Sequence, residues 1–363
     1  MLWLQLSHKL GDGLFHIDKA DPFLCTHLIY TFAGLDINGH IISLDSDNDI
    51  RDRNYYKALE LREQNPCLKV LIAIGGWNEG SEKYSVLAET EESRRNFADN
   101  ALKFLVFYGF DGIDIDWEYP GLRGGIKEDK ENFVKLVRTL KARLTKRNKM
   151  VTAALGATSA YIRASYAPMR ELCDALDLVL IMSYDFHEVN RTSINAPLHR
   201  EKNQNPFTET IAENIDLMIA QGCRPDKMVM GIPMYGRTYT LRDAKNHGVD
   251  ALVEGLGEPG PFTVSHGSLG FNEICLVLSH GNFTVKYLKK NASKIAYSGK
   301  QWIAYDDPET VYQKTMFAME KGLGGVMFWT IDTDDFRGNC YNMSYPLINT
   351  SKKLINDYTK SRS

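Results

Sequence analysis

The sequence lacks most of what marks a specialised partner. Its 43 Lys and Arg are balanced by 46 Asp and Glu, for a net charge of −3, and neither sign gathers into a block. Without a basic patch the chain has no electrostatic footprint for nucleic acid, and without a Lys/Arg cluster it has none for a membrane surface. No uninterrupted apolar run reaches about 18 residues, so no transmembrane helix is expected. The six cysteines, Cys25, Cys67, Cys173, Cys223, Cys275 and Cys340, fit no zinc spacing. Neither Gly75-Gly76 nor Gly324-Gly325 belongs to a phosphate-binding pattern. Close backbone packing is the expected use of both pairs. No metal or cofactor is therefore expected, and the partner is neither nucleic acid nor membrane. Internal repeats and low-complexity segments are also missing.

What is present is ordinary globular material. The 363 residues are 44% hydrophobic and 25% charged, and barrels of alternating strand and helix commonly reach this length as one unit. Short apolar, β-branched runs recur at 26–35, 69–77, 111–118, 150–156, 176–185, 227–235 and 324–332. They read as parallel strands buried on both faces. Helical periodicity separates them, near 51–64, 91–108, 128–147, 208–221, 308–321 and 346–358. With a weaker first strand in LWLQL (2–6), the count is eight. The alternation breaks between about 237 and 303, where Gly and Pro cluster and short strand-like pieces follow. That is too long for one barrel loop. The expected fold is an α/β (β/α)8 TIM barrel with a small α+β insertion between strand seven and helix seven. Residues 1–236 and 304–363 form the barrel, with an atypical or incomplete first strand, and 237–303 form the insertion.

The stretch DGIDIDWEYP (111–120) carries the chemistry. Side chains alternate along a strand, so Ile113, Ile115 and Trp117 share one face. Asp114, Asp116 and Glu118 share the other, about 6.6 Å apart by twice the strand rise. The apolar face suits the helical shell, so the acids point into the barrel. Glu118 lies nearest the C-terminal mouth, where sites in this fold sit. Crowded, desolvated carboxylates cannot all stay ionised. Proton sharing between Asp114 and Asp116 and a raised pKa on Glu118 are expected, and a protonated carboxyl near neutral pH is what a general acid needs. A loop-capping acid cluster and a hard-cation site are the alternatives.

DGIDIDWE resembles the Asp-x-x-Asp-x-Asp-x-Glu signature of glycoside hydrolase family 18, the chitinases and chitinase-like lectins. LCTHLIYTFAG, LIAIGGWN, IMSYDFH, GIPMYGRTYTL and GGVMFWTIDTDDF resemble family segments in family order, across roughly residues 20–358, and most resemble the animal, secreted branch. The resemblance implies a retaining endo-chitinase acting on β-1,4-linked N-acetylglucosamine. Glu118 would protonate the glycosidic oxygen while the substrate's own acetamido oxygen attacks the anomeric carbon. Asp116 would hold the acetamido N–H, Asp114 would tune Asp116, and Asp111 would support the strand start. Tyr184 would donate to the acetamido oxygen, and Asp185 would contact the reacting sugar. Trp77, Tyr119, Met182, Tyr235, Arg237 and Trp329 would bind substrate, with Tyr235 and Arg237 placed at the end of strand seven. Trp117 and Trp302 read as structural. His187 reads as a supporting hydrogen-bonder, since no Ser or Cys elbow pairs with it.

The chain departs from this resemblance in places. Cys25 stands where relatives have half of a disulfide whose partner is missing here, so a poorly closed first strand is expected. Cys275 and Cys340 match family cysteines and are expected to pair. After SYDFH, relatives often carry Gly-Ser-Trp; here stand Glu188, Val189 and Asn190. Residues 43–50 lack an aromatic as well. Fewer platforms imply shorter substrates and low processivity. A sugar-binding protein without turnover, and an enzyme acting on N-linked glycans, are the competing readings; the retained Glu118, Asp116, Tyr184 and Asp185 favour hydrolysis. Five sequons, at Asn190, Asn282, Asn291, Asn342 and Asn349, favour a secreted, extracellular protein whose leader lies outside this chain, and a monomer is expected.

Overall fold

The computed structural model describes residues 1–5, 11–186, 188–202 and 204–361. Eight parallel strands close into a barrel: Leu2–Gln5, His27–Leu35, Lys69–Gly75, Gly112–Asp116, Met150–Gly156, Leu178–Met182, Met228–Pro233 and Gly325–Trp329. Each later strand is buried almost throughout, as a sheet covered on both faces requires. Contrary to the expected weakness, the first strand is formed. Leu2, Trp3, Leu4 and Gln5 pair with Leu28, Ile29, Tyr30 and Thr31, while Leu2 also pairs with Phe328 and closes the ring. Trp3 is fully buried, and its ring centre lies 4.8 Å from that of Trp329. Burial of that one large side chain helps to hold a strand of only four residues.

Helices Asn54–Gln64, Glu91–Tyr108, Asp129–Leu144, Ile211–Ala220, Pro308–Glu320 and Pro346–Lys360 accompany the strands near the expected positions. The second of these shows why its bounds were readable. Thr90 accepts a hydrogen bond from the Ser93 amide at 3.1 Å. Phe97, Ala101 and Leu105 bury one stripe, and Gly109 at φ +97° ends the helix. Three short helices, Glu82–Glu89, Ser159–Ser165 and Met169–Ala175, were not read from the periodicity.

Between the seventh strand and helix Pro308–Glu320 lies a second, antiparallel sheet. Its strands are Tyr235–Leu241, Val253–Leu256, Ser268–Gly270, Thr284–Leu288, Ser293–Ser298 and Gln301–Tyr305, with helix Phe271–His280 among them. Tyr239, Leu241, Ile295, Trp302 and Ala304 belong to its own small core. The Trp302 indole donates to the His247 carbonyl at 3.0 Å, a structural role as expected. Cys275 pairs with Cys340, as the resemblance implied, and Cys173 with Cys223, a pairing the sequence left open. Cys25 and Cys67 are free. Among the described residues no helix is long and apolar enough to cross a membrane.

Candidate active site

The acid strand meets its alternation rule. Trp117 turns outward, within 5.9 Å of the Tyr84 ring centre and 5.7 Å of that of Phe133, and its indole donates to Ser81 at 3.0 Å. Asp114, Asp116 and Glu118 turn inward and are buried. At the strand's start Asp111 accepts from the Val70 amide at 2.8 Å and from Arg62 at 3.0 Å, pinning the third strand to the fourth. Gly75 is obligatory beside them: a Cβ there would lie 2.1 Å from the Asp116 carbonyl oxygen, at φ +107°. Gly324 likewise permits close packing, 2.4 Å from the Asp226 carbonyl by the same measure.

The electrostatics follow from burial more than from crowding. Asp114 is pushed up to about 7 by desolvation, against which the Thr152 hydroxyl it accepts from lowers it. Asp116 is driven well above the carboxylate range by desolvation first, then by Glu118 and Asp114. Burial also raises Glu118; Tyr119 and Arg123 pull it down, and Asp185 pushes it up. Of the two causes expected, crowding and desolvation, removal from water is the leading one in this site.

Above the acids opens a cavity of about 490 Å³. Asp116, Glu118, Tyr119, Met182, Tyr184, Asp185, Tyr235, Arg237, Trp77 and Trp329 all line it. Asp114 does not; it lies below. Among the described residues, Asp114 Oδ2, Asp116 Oδ1 and the Tyr184 hydroxyl are buried without a hydrogen-bond partner. Such orphans are uncommon and call for an explanation. Trp329 closes the floor, packed on Trp3 and, with ring centres 5.8 Å apart, on Phe32. Trp77 stands at the rim, 56% exposed.

Two placements differ from expectation. Tyr235 and Arg237 do not end the seventh strand, which stops at Pro233; they begin the second sheet. The Met234 amide donates to the Trp329 carbonyl at 2.7 Å, the last barrel bond of this run, while its own carbonyl accepts from the Phe271 amide at 2.9 Å and Tyr235 pairs with Gly270 of the second sheet. Both side chains converge on Asp185: the Tyr235 hydroxyl donates at 2.7 Å, and the Arg237 guanidinium adds Nε at 2.9 Å and Nη2 at 2.5 Å to the same oxygen. Asp185 itself sits in left-handed backbone at φ +61°. His187 lies outside the described residues. Sequence reasoning also missed Phe32, Tyr161 and Arg123. Tyr161 lines the cavity and stacks on Tyr119 with ring centres 4.1 Å apart. Arg123 donates through Nη1 to the carbonyls of Trp77 at 2.8 Å and Glu118 at 3.0 Å. No spacing rule links Phe32 or Tyr161 to the acid strand, and only the closed ring brings them to it; Arg123 follows Glu118 in the same loop, but its sequence neighbours do not show what it touches.

One buried sequon deserves correction of its weight. Asn291 is 1% exposed, and its amide nitrogen donates to the His199 carbonyl at 2.8 Å and to Gln204 at 3.0 Å. It is closed to a glycan in the folded chain.

Comparison with known proteins agrees with this architecture. The model of the glycosyl hydrolases family 18 matches residues 6–334. Probable chitinase 2 of Drosophila melanogaster is 38% identical, over 92% of this chain and 71% of its own length. The crystal structure of Ostrinia furnacalis Group IV chitinase in complex with allosamidin superposes at TM-score 0.95, with 33% identity and 98% of both chains covered. Human YKL-39, described as a pseudo-chitinase with retained chitooligosaccharide binding properties, superposes at 0.89 with 31% identity, again over 98% of each. With an acid row of this spacing inside a barrel of this topology, and a family match across most of its length, the chain belongs to glycosyl hydrolase family 18 and is a glycoside hydrolase of the chitinase type.

Proposed function

We propose that this chain hydrolyses β-1,4-linked N-acetylglucosamine chains with retention, using Glu118 as the proton donor and the substrate's acetamido group as the nucleophile. The observation that carries the reading is the pair of orphaned polar atoms, Asp116 Oδ1 and the Tyr184 hydroxyl, on a cavity whose upper wall holds Glu118. An acetamido group offers one N–H and one carbonyl oxygen. Asp116 accepts the first and Tyr184 donates to the second, which gives each orphan the partner it lacks. Held this way, the acetamido oxygen faces the anomeric carbon. Glu118, kept protonated by burial, delivers its proton to the leaving oxygen, and Asp116 stabilises the positive charge that follows. Asp114 supports Asp116 from below. Asp185, fixed by Tyr235 and Arg237, contacts the reacting sugar, with Tyr119 and Met182 as walls and Trp329 as the floor under its apolar face.

A chito-oligosaccharide is thus the partner, taken by a secreted monomer. We divide the chain into a barrel at 1–236 and 304–363 and an insertion at 237–303. The second reading is binding without turnover, as the description of the human neighbour reports for that protein. The retained Glu118 separates the two. The test is release of fluorophore from a chitotriose conjugate by the native chain and by Glu118→Gln. The native chain should release it, and Glu118→Gln should bind the same sugar without releasing it. Binding with no release by a well-folded native chain would establish the second reading instead.

A further inference from the structure

We infer that Arg123 is a positioning residue: it clamps the rim indole of Trp77 in place and ties that indole to the backbone of the proton donor. The inference rests on the reading of the cavity as a cleft for chito-oligosaccharides.

Three observations converge on it. First, Arg123 lies in the tight loop just after Glu118, at φ +52°. An L side chain adopts that backbone at a cost, and glycine adopts it freely. A strained residue kept at the edge of a site suggests a task for its side chain. Second, a single Nη1 donates to both the Trp77 carbonyl and the Glu118 carbonyl, so one group bridges the ends of the third and fourth strands. Third, the guanidinium carbon lies 3.6 Å from the centre of the Trp77 ring. A planar cation on an indole face is attractive, and it occupies one face only.

The consequence is a preformed platform. An exposed tryptophan held only at its Cβ samples several rotamers, and a sugar must select one of them. Stacked on Arg123, Trp77 presents its second face in a single orientation, so less ordering is left for the substrate to impose. The same charge also faces the Glu118 carboxyl, on which Asp116, Asp185 and Tyr119 act as well. Replacing Arg123 leaves those three in place.

The test uses the full chain with the N-acetylglucosamine hexamer. Arg123→Gly removes the side chain and relaxes the backbone, so it should fold with an unchanged or higher thermal midpoint. It should nonetheless raise KM for the hexamer about tenfold while kcat changes little, the scale of one cation–π contact. The alkaline limb of its pH profile should move to higher pH, because Glu118 keeps its proton longer. Arg123→Lys retains the charge but not the flat stack: its limb should stay in place while KM still rises. Trp77→Ala should abolish most of the effect of a further Arg123→Gly. A KM within twofold of native in Arg123→Gly, or additive losses in the double variant, would overturn the clamp. If the native chain turns over nothing, the proposed function fails separately, and the clamp is then read from hexamer affinity by tryptophan fluorescence. The same tenfold weakening would support it, and unchanged affinity would sink it.

Discussion

Two of the places where the molecule buries carboxylates treat them in different ways. Where the second sheet rejoins the barrel, Asp306 follows strand Gln301–Tyr305 and faces Lys314 on the next helix, with both side chains inside the protein. The Lys314 ammonium donates to Asp306 at 2.6 Å, and the Thr310 hydroxyl to the same oxygen at 2.8 Å. At the barrel mouth, the Asp114, Asp116 and Glu118 row has no cation salt-bridged to it among the described residues, and two of its oxygens have no partner at all. A buried acid with a matched cation is a solved folding problem. Burial raises both Asp306 and Asp114, but Lys314 opposes it at Asp306, whereas only the Thr152 hydroxyl opposes it at Asp114, which holds a proton up to about pH 7. The first arrangement serves the fold; the second costs the fold and leaves groups poised for a ligand.

The contrast predicts that damage separates. Glu118→Gln should lower turnover by at least about a hundredfold, the usual scale for a general acid. It should leave the thermal midpoint unchanged or raised, since it swaps a group that burial disfavours in charged form for a neutral isostere. Lys314→Met should do the reverse. It strands Asp306 in the interior and should cost about 3–5 kcal/mol of stability in a denaturant titration, with turnover per folded molecule intact. A Glu118→Gln chain that melts as early as Lys314→Met would break the comparison.

How much of this was legible depended on range. The acid row was, because alternation along one strand is a local rule, and so was the barrel, because short apolar runs alternate with long stretches of helical period. Tyr235 was misplaced because KMVMGIPMY reads as one run, while the chain changes partner inside it: Pro233 still pairs with Trp329 of the barrel, and Tyr235 pairs with Gly270 of the second sheet. Arg123 and Lys314 went unnoticed for a related reason. A charged residue in a loop or helix reads as solvated until the fold shows what it touches. The short helices 159–165 and 169–175 carry too few turns to show a stripe.

A smaller effect sharpens the contrast through pH. In the fold Asp114 titrates at about 7, above its ordinary 3.8. Between those values the folded chain holds a proton that the unfolded chain has released. This contribution to stability is therefore complete below about pH 4 and is lost as pH rises to about 7. Asp114→Asn should flatten that slope in melting curves taken across the window. Asp334, also buried and at about 7, adds a slope of the same sign that the substitution leaves behind. An unaltered slope in Asp114→Asn would mean that Asp114 does not hold this proton.

The smallest expected effect isolates the one side-chain donor that, among the described residues, reaches Asp114. Thr152→Val keeps the shape and removes the hydroxyl. A hydrogen bond to a charged acceptor contributes about 1.5–3 kcal/mol and one to a neutral acceptor about 0.5–1.5. The loss should therefore be greater at pH 8, where Asp114 is ionised, than at pH 4, where it is protonated. Because that hydroxyl is what lowers Asp114, its removal should also carry the titration further upward. A cost for Thr152→Val that is equal at both pH values would show that Asp114 stays protonated throughout, and the mouth would then be more completely neutralised than the paired site it is set against.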